Sequence, residues 1–109
     1  MEINVKDNCY IITPLSPKLT HRETQRLNTE LQNIENYKVA LDMSLVKDCT
    51  FDFIEEIKNY KNISLFNINS DIFAILTSMN LDKKLKLFVS ELDFLNDKHQ
   101  LINRKFTLV

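Results

Sequence analysis

The sequence predicts a single α/β domain with a mostly parallel sheet of roughly four to six strands, an antiparallel edge strand and about four helices. Its 109 residues are close to the commonest domain length, and its 44% hydrophobic content is ordinary for a globular protein. Short apolar runs alternate with helix-length segments, and this order implies right-handed crossovers between parallel strands. Residues 1–109 are therefore expected to form one domain around one core.

Two strands open the predicted order. Over residues 2–6, Ile3 and Val5 alternate with polar residues, which is typical of a short edge strand. Residues 9–13 form the next apolar run and predict a second strand that pairs with the first. Pro14 is expected to end this strand, because proline has no N–H to donate to a strand ladder.

A long helix is predicted next. Ser16 is a favourable N-cap and Pro17 is favourable at the first helical position, so the helix is expected to begin there. It is expected to run to about Glu35, with one apolar face and one charged face. The apolar face carries Leu27, Leu31 and Ile34.

The middle of the chain predicts a central strand. Residues 39–41 are continuously apolar and precede Asp42, as expected for a parallel strand that is covered on both faces. Residues 44–49 are interpreted as a loop that leads into a helix over residues 50–60. The inward stripe of that helix holds Phe53, Ile54 and Ile57.

A further strand and helix follow. Residues 63–68 predict the strand, and either Asn69 or Ser70 is expected to cap the helix after it. The apolar face of this helix carries Ile72, Phe73, Leu76 and Met79.

The last third of the chain predicts shorter elements. Alternating apolar residues over 85–89 predict another strand. Ser90 with Asp93 predicts the start of a short helix that runs through Leu95. Alternation at Phe106 and Leu108 predicts a final edge strand.

Glycine is absent from the chain. Phosphate-binding loops, dinucleotide fingerprints and G-x-S-x-G nucleophile elbows all need glycine, so enzymes built on them are excluded. Without glycine, the left-handed residue that often follows a helix is expected to be asparagine, which is the usual substitute for glycine there. Asn36, Asn62 and Asn80 each follow a predicted helix and are expected to take that role.

Charge and hydropathy limit the expected partners. The formal net charge of −1 gives no electrostatic bias toward nucleic acid or an anionic membrane. Apolar runs are too short for a membrane span, and the first residues lack the basic start and apolar core of a signal peptide. A cytoplasmic protein without direct membrane insertion is therefore expected.

The cysteines and histidines do not predict a metal or redox site. Cys9 and Cys49 match neither a CxxC pair nor a disulfide framework, so each is expected to be a reduced, buried or half-buried thiol. His21 and His99 have no neighbours at ligand spacing. No metal and no cofactor are expected.

Residues 39–51 carry the most informative pattern in the chain. An apolar strand ends in Asp-Met-Ser (42–44), an apolar pair follows, and Asp-Cys-Thr-Phe (48–51) stands at the start of a helix. This segment, with the order of strands and helices around it, resembles the STAS domain of bacterial anti-sigma factor antagonists. The resemblance implies a STAS-like α/β fold and a non-catalytic module that binds proteins.

The resemblance also implies a switch. In the family, a kinase-like anti-sigma factor phosphorylates the serine that follows the loop aspartate. The unmodified domain binds the anti-sigma factor and frees the sigma factor, whereas the phosphorylated domain releases it. The phosphate adds about −1.5 to −2 charges at a helix start, which changes the surface that the partner contacts.

The family's loop positions carry over one by one. Asp48 matches the loop aspartate, Cys49 the phosphorylated serine and Thr50 the second hydroxyl position, whereas Phe51 stands where the family has glycine. A thiol is not a substrate for a serine kinase, so the usual switch is expected to be lost at Cys49. The residues expected to contact a partner are Ser44, Lys47, Asp48, Cys49, Thr50 and Phe51.

Several roles stay open. Thr50 is either an N-cap hydroxyl or an alternative phosphoacceptor, and Asp48 either contacts a partner or orders the loop. A helix N-terminus lowers the pKa of a thiol, but a nucleophile also needs a base, so Cys49 is interpreted as an unreactive serine replacement. Asp42 is expected to be structural and to accept hydrogen bonds from the next loop.

Two functions from different classes follow. The first is partner-switching regulation of transcription, in which the chain binds a kinase-like anti-sigma factor. The second is a STAS-like adaptor subunit of a phospholipid-transport or signalling assembly, which needs no phosphoacceptor. Whether the chain forms a homodimer is left open by the sequence. A thiol enzyme on a thioredoxin-like fold is disfavoured, because the chain has no CxxC motif.

Overall fold

The computed structural model describes residues 1–6, 8–34, 37–60 and 63–96. In chain order its strands are β1 (Glu2–Lys6), β2 (Cys9–Thr13), β3 (Lys18–Leu19), β4 (Lys38–Asp42), β5 (Asp48–Cys49), β6 (Ile63–Phe66) and β7 (Lys86–Phe88). Its α-helices are α1 (His21–Gln32), α2 (Phe51–Ile57), α3 (Ser70–Ser78) and α4 (Glu91–Leu95), and a single 3-10 turn spans Leu81–Lys83. The predictions for Glu35, Asn36, Asn62, His99 and the strand near Phe106 lie outside the described residues.

Within these ranges, five strands form one sheet in the order β1-β2-β4-β6-β7. β1 pairs antiparallel with β2, and the other neighbours pair parallel. β4 is the central strand of the sheet. The predicted fold class is confirmed, including the antiparallel edge strand.

Both faces of the sheet are covered. One face packs against α1, α2 and α3 in a core that includes Leu41, Leu27, Phe53, Leu65 and Leu76. The other face packs mainly against α4 in a smaller core that includes Ile11, Ala40, Phe66, Phe88 and Phe94. Adjacent β4 residues point to opposite faces, so this strand has to be apolar along its whole length.

The predicted start of the first helix is wrong. α1 begins at His21 rather than at Pro17, and Thr20 is its N-cap. Thr20 and Glu23 form a capping box, in which the Thr20 N–H donates to Glu23 Oε2 at 3.0 Å. Leu19 is fully buried and belongs to β3, so the chain stays extended there. The helix therefore does not begin at Ser16, because the capping box at Thr20 is a stronger start and the pairing of β3 with β5 keeps residues 18–19 extended.

Other predicted boundaries need smaller corrections. The segment interpreted as a loop over 44–49 contains the two-residue strand β5, which pairs in parallel with β3. The strand expected over 63–68 ends at Phe66, because Asn67 has a positive φ of 56°. The strand expected over 85–89 is confined to β7, after the 3-10 turn that periodicity did not indicate.

Asparagine supplies the left-handed backbone in this glycine-free chain. The described non-glycine residues with positive φ are Asn8 (64°), Asn67 (56°) and Asn80 (59°). Asn80 follows α3, which confirms its predicted role after that helix. Among the described residues, no helix is long and apolar enough to cross a membrane.

Candidate functional site

The candidate site is the edge loop, residues 43–50, which connects β4 to α2 at the carboxyl end of the central strand. Open α/β sheets present their binding crevices at this edge. Ser44, Lys47 and Asp48 are exposed in the edge loop, whereas Cys49 is buried. Phe51, the first residue of α2, is 66% exposed.

Asp42 anchors the beginning of the edge loop. Its Oδ1 accepts hydrogen bonds from the Ser44 N–H at 3.0 Å and from Asn67 Nδ2 at 3.1 Å. The second bond joins the ends of β4 and β6, which are adjacent in the sheet. The predicted structural role of Asp42 is therefore confirmed.

The segment around β3 anchors the end of the edge loop. The carbonyl oxygen of Pro17 accepts from the N–H of Lys47 at 2.7 Å and from that of Asp48 at 3.1 Å. The N–H of Thr50 donates to the carbonyl oxygen of Leu19 at 2.9 Å. These contacts explain why residues 18–19 form a strand rather than the first turn of a helix.

Asn69 anchors the middle of the edge loop from the start of α3. Its Nδ2 donates to the carbonyl oxygens of Val46 at 3.2 Å and of Lys47 at 3.1 Å. Its Oδ1 accepts from the N–H of Ile72 at 2.8 Å, so the same side chain caps the helix. The edge loop is thus held at both ends and in the middle, and its exposed side chains are displayed on a fixed backbone.

Cys49 is not an activated thiol. Burial, and then the negative charge of Asp48, raise the pKa of Cys49 to about 11. The effect is opposite to the lowering expected for a thiol at a helix N-terminus. The Cys49 N–H donates to Asp48 Oδ1 at 2.9 Å, so one carboxylate oxygen orders the loop while the Asp48 side chain remains exposed.

Thr50 occupies the N-cap position of α2, as predicted, but its hydroxyl does not cap the helix. Its Oγ1 is buried and has no hydrogen-bond partner among the described residues. The prediction of an N-cap hydroxyl is therefore wrong for the side chain. The Thr50 N–H bonds to Leu19 of β3, and the Thr50 hydroxyl is buried rather than directed at the free N–H groups of the helix start.

Three exposed apolar side chains lie at the same edge of the sheet as the edge loop. Leu45 is 50% exposed, and Phe51 and Leu15 project from the adjoining α2 and the segment after β2. β2 and β4 are parallel neighbours, so the segments that leave them emerge at the same edge. Leu15 and Leu45 were missing from the predicted contact residues. The available signal for Leu15 was an apolar residue between two prolines, where neither strand nor helix continues.

The histidines and carboxylates do not assemble a metal site among the described residues. His21 Nδ1 lies 3.3 Å from Asp52 Oδ2, and both side chains are mostly exposed. This pair crosses the polar groove between α1 and α2. Neither residue is part of the edge loop.

We define the docking surface as the exposed residues of this region: Leu15, Ser44, Leu45, Lys47, Asp48 and Phe51. It combines three apolar side chains with one positive and one negative side chain. Cys49 and Thr50 were also expected to contact a partner, but Cys49 is buried and Thr50 is half-buried with its hydroxyl covered. Apolar anchors within a polar rim are typical of protein–protein contacts.

No family model and no curated protein matches the sequence. A crystal structure of a candidate anti-sigma factor antagonist from Thermotoga maritima has a similar fold, with a TM-score of 0.79 and 16% identity over 88% of this chain and 92% of that chain. An NMR structure of the same protein aligns with a TM-score of 0.74 and 16% identity, over 86% and 84% of the two chains.

A domain of a larger protein has a similar fold as well. The murine anion transporter solute carrier 26 family member A9 aligns with a TM-score of 0.66 and 17% identity, over 86% of this chain and 18% of the transporter. At these identities the similarity concerns the fold, so the chain has a STAS-like fold, as its motif predicted.

Proposed function

We propose that the chain is a protein-interaction module that binds a kinase-like anti-sigma factor through the docking surface, in partner-switching regulation of transcription. The observation that carries the proposal is the edge loop itself. It is held by Asp42, Pro17 and Asn69 and displays Leu45, Lys47 and Asp48 to solvent. A loop that is ordered before binding loses less conformational entropy when the complex forms.

The second part of the proposal is that this module works without the usual phosphorylation switch. Position 49 carries a buried thiol instead of a hydroxyl. The neighbouring Thr50 hydroxyl is buried as well, so a kinase could reach it only after the helix start had opened. Regulation of binding would then depend on the amount of each partner rather than on the modification of this chain.

An adaptor role in a transport or signalling assembly is the second candidate. Two observations favour it. The fold is similar to part of an anion transporter, and the chain has a thiol where the switch requires a hydroxyl. An adaptor needs a stable contact surface and no phosphoacceptor. The chemistry of the captured partner distinguishes the two roles.

A quantitative pull-down with a matched control tests the docking surface. Phe51→Asp places a charge in the proposed contact, and Leu92→Asp makes the same change on α4, at a residue that is also 66% exposed. We expect Phe51→Asp to reduce recovery of the specific partner at least tenfold and Leu92→Asp to leave it unchanged. Equal recovery with both variants would exclude this surface.

The purified partner then distinguishes the two proposed functions. A kinase-like anti-sigma factor supports partner switching, and a transporter subunit supports the adaptor role. Incubation of the chain with that kinase and ATP is expected to leave residues 49 and 50 unmodified by mass spectrometry. Phosphate on Thr50 would contradict the absence of a switch. A Thr50→Asp variant would show whether charge at that position releases the partner.

A further inference from the structure

Among the strands that the structure describes, β1 has no neighbour on one side and forms an edge of the sheet. It is the outermost strand beside β2, and all five of its residues are exposed. In an antiparallel ladder alternate residues direct their N–H and C=O groups toward one neighbour, so the other half of these groups in β1 points away from β2. A strand edge of this kind is a template for pairing with another strand.

The sequence of β1 is complementary to itself. Its five residues, Glu-Ile-Asn-Val-Lys, have opposite charges at the two ends and an apolar residue next to each end. When two copies pair antiparallel with full overlap, Glu2 of one copy faces Lys6 of the other, and Ile3 faces Val5. Asn4 faces Asn4 on the twofold axis. The register with the greatest overlap is thus also the register that pairs opposite charges.

The two kinds of pair lie on different faces of the sheet. Ile3 and Val5 stand opposite Ile12 and Tyr10 of β2, on the face that carries α1 to α3. Glu2 and Lys6 lie on the other face. Ile3 is 38% exposed and Val5 is 58% exposed, so each has apolar surface that a cross-strand neighbour would bury.

One existing contact bears on this pairing. Lys6 Nζ lies 2.9 Å from Glu91 Oε2, and the Lys6 side chain is still about half exposed. An ammonium group has three donors, so it can serve Glu91 and a carboxylate of a second copy together. The internal ion pair therefore positions the Lys6 ammonium group and leaves it able to bind a second carboxylate.

We propose that two copies of this chain associate through β1, antiparallel about a twofold axis at Asn4, so that their two sheets join into one continuous sheet. The partner is a second copy because both the charge order and the apolar order of the edge repeat under that axis. Five paired residues form a small contact, so the dimer is weak and depends on concentration. None of the docking-surface residues lies in β1, and the proposal is independent of the proposed function.

Charge reversal tests the pairing. Sedimentation velocity of the chain, tagged only at its C-terminus, is measured from micromolar to millimolar concentration. Glu2→Lys and Lys6→Glu each place like charges opposite one another at both ends of the interface, and each is expected to weaken the dimer about tenfold or more. Lys83→Glu makes the same change in net charge as Lys6→Glu, at an exposed residue outside β1, and is expected to leave the dimer unchanged.

Rescue separates pairing from damage to the fold. The double variant Glu2→Lys/Lys6→Glu restores opposite charges and is expected to regain dimerisation. An equimolar mixture of the two single variants is expected to form a mixed dimer that neither forms alone. A monomeric wild type over the whole range, single variants that dimerise like the wild type, or a mixture that fails to associate would each overturn the proposal.

Discussion

At the scale of single residues, Cys49 shows that a position just before a helix start does not by itself decide the pKa of a thiol. A helix start acts on a thiolate like a partial positive charge, which lowers the thiol pKa, whereas burial removes most of the thiolate's hydration, which raises it. Asp48 adds a full negative charge at the adjacent residue. Burial and this charge together exceed the effect of the helix, and the pKa of Cys49 rises to about 11.

Alkylation kinetics of Cys49 provide the first prediction. Cys9→Ala is used as the background, so that Cys49 is the thiol that reacts. With a pKa near 11, about one Cys49 thiol in a thousand is ionised at pH 8, so Cys49 should react slowly with iodoacetamide. Asp48→Asn removes the adjacent charge and should lower the apparent pKa, while Asp52→Asn serves as the control. Rapid alkylation at neutral pH would contradict the prediction and revive the nucleophile hypothesis.

The same shift affects stability at alkaline pH. The ordinary pKa of 9.0 applies in the unfolded chain and the raised value of about 11 in the folded chain. Between these values the unfolded chain has lost the proton and the folded chain keeps it, so stability falls as pH rises. A Cys49→Ser variant should show a smaller decrease over this range in denaturant titrations.

At the scale of secondary-structure elements, the helix starts differ in what they hold. Ser90 accepts from the Asp93 N–H at 3.3 Å and caps α4 alone. Asn69 caps α3 and also bonds to two carbonyl oxygens of the edge loop. The Ser90 cap was expected from the sequence, and Asn69 was one of two expected caps for α3, but the second function of Asn69 depends on β4 and β6 being neighbours.

Removal of these two caps provides the element-scale prediction. Ser90→Ala should lower the free energy of unfolding by about 1 kcal/mol, as for an ordinary N-cap. Asn69→Ala should cost about 2–3 kcal/mol, because the loop carbonyls also lose their donors. Hydrogen exchange in residues 43–50 should quicken only in Asn69→Ala. Equal exchange in both variants would show that Asn69 does not hold the edge loop.

At the scale of the whole molecule, the sheet has one thick and one thin covering layer. Among the described residues, three helices pack on one face, whereas on the other face the short helix α4 covers the central strands through Phe94. Its ring lies 6.0 Å from that of Phe66 and 5.5 Å from that of Phe88, and Lys38 Nζ lies 4.9 Å from its centre. A large part of the smaller core therefore depends on one side chain.

Truncation of that side chain is the corresponding prediction. Phe94 is fully buried, so Phe94→Ala should lower the free energy of unfolding by about 3–5 kcal/mol. Leu92→Ala changes an exposed residue of the same helix and should stay within about 0.5 kcal/mol of the wild type. Chemical denaturation measures both. A small loss in Phe94→Ala would mean that other residues cover this face.

Local sequence patterns determined much of this molecule. Alternation predicted the edge strand β1, the apolar run predicted the buried strand β4, and the missing glycine predicted left-handed Asn80. The motif around Asp42 predicted the STAS-like fold. These features were predictable because strand periodicity, burial of a central strand and backbone handedness act within a few residues.

Only the tertiary structure decided the start of α1 and the composition of the docking surface. β3 replaces the predicted helix turn because Leu19 pairs with Cys49, far away in the sequence. The same pairing buries Cys49, which stands at the family's serine position, so Cys49 is not part of the docking surface. Leu15, which was not among the predicted contact residues, is part of that surface. Burial of a single side chain depends on which distant segments meet, and local patterns carry no information about that meeting.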